Sequence, residues 1–200
     1  MDQTSEKKHN RKMLFNVLAL VITALVFSGC ASKIPHMVVS DYAKRGLRLV
    51  AIMPVSNKTS DEKAASMLRG KILDAMYQKG YPKIPFNVID ERIAKLDAAS
   101  MSDAKALGGM LGVDAVMFIT LQESYRSVTL LFASTALSAD FQMRDVRTVG
   151  VLWETKYRTG EKNFDITRQR VDLKSVQVFE PLMQQIVDKT METLPDGPDL

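Results

Sequence analysis

The 200-residue chain has one cysteine, Cys30, and only two histidines, His9 and His36. One thiol closes no disulfide within the chain, and it ends an apolar run, away from any segment that reads as a folded core. A buried Cys–His nucleophile pair is therefore excluded, and so is a four-ligand zinc site of the Cys/His kind. The phosphate cradle of nucleotide-binding loops is missing too. "GGMLG", Gly108 to Gly112, has neither the strand before it nor the Lys-Ser/Thr after it that such a loop needs. Blocks of like charge are absent: 27 Lys and Arg stand against 23 Asp and Glu, interspersed along the chain. That is not the basic footprint of a nucleic-acid binder. No repeat, cofactor motif or small-molecule site stands out.

What is present begins at the amino terminus. Lys7, Lys8, Arg11 and Lys12 precede "MLFNVLALVITALVF", Met13 to Phe27, which is broken only by Asn16 and Thr23. The small residues "SGCAS" follow. A basic start, a short apolar stretch and a small-residue end are the parts of a secretory signal. The run is marginal as a permanent span, which takes about 20 apolar residues.

The stretch Phe27-Ser28-Gly29-Cys30 resembles the lipobox of bacterial lipoproteins, with Phe27 where Leu is usual. The resemblance implies a signal peptide over residues 1–29, cleavage before Cys30, and acylation of the Cys30 thiol and new amino terminus. Two or more acyl chains hold a protein stably at a bilayer, whereas one holds it only reversibly. Ala31 and Ser32 follow the cysteine, with no aspartate. By resemblance to the sorting rule of enteric bacteria, this implies the outer membrane, with the folded part facing the periplasm. A single cysteine suits such a chain, because a second thiol would tend to form a disulfide in an oxidising compartment. Four of the basic and two of the acidic residues precede Cys30, so the mature chain of 171 residues carries a net charge of +2. One domain of that size is expected.

Residues 30–45 read as the acylated cysteine and a tether, 46–194 as an α/β domain, and 195–200 as a polar tail. Leu47 to Val55, "LRLVAIMPV", is a near-continuous apolar run and predicts a buried strand. Thr59 with Glu62 forms a capping-box pattern for a helix running to about Lys79. Ala64, Leu68, Ile72 and Met76 recur along it, and Gly80 stops it. "FNVID", Phe86 to Asp90, reads as a short strand. Ser102 reads as the cap of a short helix that Gly112 ends. Ala115 to Leu121 predicts a second buried strand. From Ser127 to Arg144 the period is two, and Val149 to Tyr157 pairs back as a hairpin. Residues 159–163 read as a loop. A last helix spans roughly Ser175 to Thr193, with Pro181 inside it or in its first turn. The order β-α-β-α-β, hairpin, α predicts a single mixed sheet with flanking helices.

"RLVAIMPVSN…KGY…FNVID" and "LGVDAVMFITL…ALSADFQMRDVRTVGVLWE" together resemble a family of Gram-negative lipoproteins described as ABC-type transport auxiliary components. That family is similar in fold to the amino-terminal domain of TolB and to the periplasmic domain of curli-secretion lipoproteins. The resemblance implies a non-catalytic binding or assembly component of an envelope transport or secretion apparatus. Its contacts would be with itself or with an envelope partner, through sheet edges and the face around Leu130, Phe132 and Trp153. The same face read as internal core is the competing expectation. An oligomeric pore of the curli kind is an alternative, with "SVTLLFASTALSADFQM" as its candidate membrane hairpin. A hydrolase is another, drawing on Asp90, Glu91, Glu123, Asp140, Asp145 or Glu154, because two carboxylates about 5–9 Å apart can cleave a glycosidic bond.

Overall fold

The computed structural model describes residues 33–97, 99–129, 132–164 and 168–198. The signal segment, Cys30 and Leu130 lie outside them. The compact body begins at Ile34.

Six strands form one mixed sheet: β1 His36–Val38, β2 Val50–Ile52, β3 Ser56–Asn57, β4 Ala115–Val128, β5 Phe132–Asp145 and β6 Val151–Phe164. The order is β1-β6-β5-β4-β2, with β3 also paired to β4. The helices are α1 Glu62–Gln78, α2 Phe86–Ile93, α3 Ala104–Leu111 and α4 Arg168–Met191. The expected class, an α/β domain with one mixed sheet and flanking helices, is what the chain forms.

The apolar runs become strands where expected. Val50, Ala51 and Ile52 are all buried and pair in parallel with Ala115 to Met117. The strand is laterally at the edge of the sheet but covered on both faces. Asp114, at the entry to β4, accepts the Arg48 and Leu49 amides at 2.9 Å each and so sets that register. In α1, Ala64, Leu68, Ile72 and Met76 recur every four residues and are all buried. Its cap is Asp61, whose Oδ1 accepts the Ala64 amide at 2.9 Å. Thr59, the expected cap, sits two residues early and instead accepts the Asp61 amide. Likewise Asp103, not Ser102, caps α3 by accepting the Lys105 amide. Gly80 has φ +83° at the end of α1, and the Tyr81 amide reaches back to the Met76 carbonyl.

Further expectations are corrected. "FNVID" is the first half of α2, not a strand: Ile89 and Ile93 bury one helical stripe and Asp90 meets Arg69. Residues 159–163 are not a loop but continue β6 to Phe164, paired with β5 throughout. The last helix starts at Arg168, and Pro181 is inside it. The tether is shorter than residues 30–45. Within it, β1 pairs with β6, Tyr42 is buried, and Arg45 reaches Asp145 at 3.0 Å. The expected tail is docked too, since Gly197 donates to the Lys79 carbonyl and Lys79 meets Asp196 at 2.6 Å.

The layers are unequal. α1 and α4 cover one whole face, where Leu68, Ile72, Met183 and Ile186 meet Met117, Leu137, Phe141 and Trp153. α2 and α3 cover the second face only at β2 and the start of β4, where Ile89, Ile93 and Leu107 meet Ala51, Met53 and Val116. The rest of that second face has no helix over it among the described residues. No described helix is long and apolar enough to cross a membrane.

Candidate functional site

The uncovered face belongs to β4, β5 and β6. Each is 14 residues long, or about 48 Å. The antiparallel register brings side chains into rungs across the three strands: Phe118, Gln142 and Glu154; Thr120, Asp140 and Lys156; Glu123, Ser138 and Arg158; Tyr125, Ala136 and Gly160; Ser127, Ser134 and Lys162. Phe132 and Phe164 close the far end, their rings 5.2 Å apart. A register shift between Leu121 and Glu123 makes Gln122 an extra residue in β4. That bulge turns its amide onto Asp140, Nε2 to Oδ2 at 2.6 Å.

Polar groups on this face are cross-strand pairs. Arg158 donates to both oxygens of Glu123, at 2.8 and 3.0 Å. This fork holds the Glu123 carboxyl below its usual range and raises the Arg158 guanidinium. Gln142 donates to Glu154 at 3.1 Å and accepts from Arg144 at 2.7 Å. Beside β1 the face dips into an open depression of about 580 Å³, which His36, Met37, Phe118, Asp140, Glu154 and Lys156 help to line.

The edges of the same strands are open as well. β1 pairs with β6 only from Trp153 to Thr155. Beyond Thr155 no strand among the described residues pairs with the outer side of β6. On the other margin, β2 and β3 pair with β4 no further than Leu121. Among the described residues, the distal half is thus a three-stranded ribbon with no further strand on its margins before Phe164 and no helix over one face. Its other face stays buried, with Ala133 1%, Thr135 2% and Leu137 0% exposed.

The residues singled out from sequence separate. Trp153 is fully buried, and its indole N–H donates to Thr193 Oγ at 3.1 Å, so it is core. Phe132 is 55% exposed on the ribbon. The candidate membrane hairpin "SVTLLFASTALSADFQM" supplies the end of β4 and most of β5, and its alternate residues are buried in the domain core.

The carboxylates separate too. Asp90, in α2 and not on the ribbon, accepts two hydrogen bonds from the Arg69 guanidinium, at 2.8 and 2.7 Å. Glu91 is exposed on the same helix. Burial alone would push the Asp145 carboxyl up, but the Thr148 and Arg147 amides and the Arg45 guanidinium outweigh it and hold it below the usual range. Asp145 therefore fastens the β5–β6 turn. Only Glu123, Asp140 and Glu154 reach the open face, each hydrogen-bonded to Arg158, Gln122 or Gln142. No cluster of three or more potential metal ligands occurs among the described residues.

Residues that sequence reasoning passes over are Gln122, Tyr125, Arg158, Lys162 and Phe164. The last three are hidden in a stretch that reads as the end of a strand and a loop. Their signal is the alternation in "KYRTGEKNF", where Lys156, Arg158, Gly160, Lys162 and Phe164 fall on one side.

Comparison with known proteins agrees with this architecture. Residues 39–197 match the sequence model of the family described as "Putative lipoprotein GNA1162-like", and the chain belongs to that family. A search of curated proteins finds no match. Among solved structures, the fold is shared with lipoprotein GNA1162 from Neisseria meningitidis, at 20% identity and a TM-score of 0.52 over 68% of this chain and 99% of that one. It is also shared with a dodecamer of a single-substitution variant of PelC from Paraburkholderia phytofirmans, at 10% identity and a TM-score of 0.53 over 82% and 99%. The family is one of putative lipoproteins.

Proposed function

We propose that this lipoprotein is a non-catalytic binding and assembly component of an envelope transport or secretion apparatus. Acyl chains on Cys30 hold it at the outer membrane, facing the periplasm. The distal ribbon engages a second copy or an envelope protein. The observation that carries this reading is a sheet of which, among the described residues, half is walled in by helices and half has an open face and edges that no further strand pairs before Phe164. Exposed edges are templates for strand addition, and proteins with no use for them normally blunt or cover them.

Two further facts support the reading. The carboxylates on the open face are engaged with an arginine or amides, which suits a recognition surface better than a general acid and base. PelC, similar in fold, was solved as a dodecamer, so this architecture is compatible with self-association.

A photo-crosslinking residue at Lys156, exposed on β6 just past its pairing with β1, tests it in cells, with Lys105 on α3 as the control. The expected result is a discrete adduct, of a second copy or an envelope protein, from position 156 alone. Equal adducts from both positions, or none from 156, would contradict it. The anchor is tested separately: Cys30→Ser should leave the precursor uncleaved and without radioactive palmitate.

A further inference from the structure

We propose that the distal end of the open face rests in the interface of the bilayer that carries the anchor. Phe132 and Phe164 lie at the headgroup–acyl boundary, with Lys162 at the level of the phosphates. This rests on the acylation of Cys30 proposed above.

Three observations converge on it. The first is chemical. Phe132, Phe164 and Tyr125 are 55%, 54% and 49% exposed and lie on one face at one end of the sheet. The sequence closing the hairpin, "VTLLF" from Val128 to Phe132, has no charge, glycine, proline, asparagine or aspartate. Hairpin closures normally draw on those residues for their turn geometry. Exposed aromatic residues on the face that carries Lys162 are the composition of a surface lying in a membrane interface.

The second observation is directional. His36 stands opposite Thr155 and Val38 opposite Trp153. The chain therefore enters β1 from the side of Phe164, travelling against β6 along its margin. Thr155 Oγ holds it there by donating to the Pro35 carbonyl at 2.9 Å.

The third is length. Four peptide units separate Cys30 from Ile34, and they reach at most about 14 Å. From Tyr157 to Phe164 the ribbon runs about 24 Å. A bilayer that holds Cys30 is thus within a ribbon's length of the aromatic end, and the tether is too short to let the domain stand clear. A second copy seated on the same aromatics is the competing occupant, and the test separates the two.

The test uses the full acylated protein in phosphatidylethanolamine–phosphatidylglycerol vesicles. Trp153 is the sole tryptophan and is buried, so it gives a constant background. In Phe132→Trp, the added emission is expected to shift to the blue and to be lost when the lipids carry bromine on their acyl chains. In Tyr77→Trp, at the far end of α1, it is expected to stay red and unquenched. A protein that floats with the vesicles but shows no bromine quenching at position 132 overturns the proposal and leaves the anchor intact. A blue shift without quenching overturns it in favour of a second copy. A protein that does not float and has no acyl mass removes the anchor reading, and this proposal with it.

Discussion

β4 passes through two environments within one strand. From Ala115 to Leu121 it is flanked by β2 and β3 on one side and β5 on the other. Four of its residues there, Ala115, Val116, Met117 and Leu121, have no exposed surface. From Gln122 to Val128 it keeps β5 but loses its other neighbour, and Gln122, Tyr125 and Arg126 are exposed. The bulge at Gln122 marks the boundary. The proximal half is built as a core, with helices over the whole of one face and over the other at β2 and the start of β4. The distal half is a core on one face only.

That contrast can be broken most sharply in the proximal half. Trp153→Ala removes a fully buried indole that also bonds Thr193, and is expected to cost about 3–5 kcal/mol in a denaturant titration. A loss under about 1 kcal/mol would mean the proximal half is not the stabilising one. Arg69→Met comes next. Arg69 is 8% exposed, clamps Asp90, donates to the Ile52 carbonyl at 2.9 Å and lies over the Phe86 ring. Its loss should cost about 2–3 kcal/mol, and amide exchange should quicken in α2 first.

Tyr42→Phe sharpens the comparison through pH. Tyr42 and Tyr81 share a 2.7 Å hydrogen bond inside the core, and Tyr81 donates to the Pro195 carbonyl. Burial, the largest cause for both, raises their phenols above the ordinary value. A phenol that resists ionisation in the folded state gives stability that is full below the unfolded value, about 10. It is lost as pH rises above that, because only the unfolded chain then releases the proton. The wild type should therefore lose stability above about pH 10, and Tyr42→Phe should flatten that limb while costing about 1 kcal/mol at neutral pH. The smallest effect is expected distally. Arg158→Ala breaks an exposed pair with Glu123 and should cost under about 1 kcal/mol. If it instead cost as much as Arg69→Met, the ribbon would be part of the stabilising core.

The same division decides what the sequence reveals. β2 and the proximal part of β4 are covered on both faces, so they read as unbroken apolar runs, and β5 reads as clean alternation. "FNVID" does not, because five residues are too few to separate period two from period 3.6. What decides for a helix is Asp90 meeting Arg69, 21 positions away. β6 beyond Tyr157 fails for the opposite reason. Its outward side meets water or a partner, so "RTGEKN" carries the composition of a loop while its backbone pairs throughout with β5. The candidate site is half legible: Phe132 stands out in the sequence and is exposed, whereas Trp153, grouped with it, is core. Alternation alone cannot tell that the helix-covered face of β5 continues under Trp153 while Phe132 faces the other way.

The central claim is that the distal ribbon is the working surface and the proximal half its support. Hydrogen exchange compares them directly, on the native protein in its membranes and on the same protein purified and diluted. The account predicts slow exchange at Ala115 to Leu121 in both states. The outward-facing amides between Tyr157 and Phe164 should exchange fast when diluted and become protected in the membranes. Equally fast exchange along β6 in both states would contradict it.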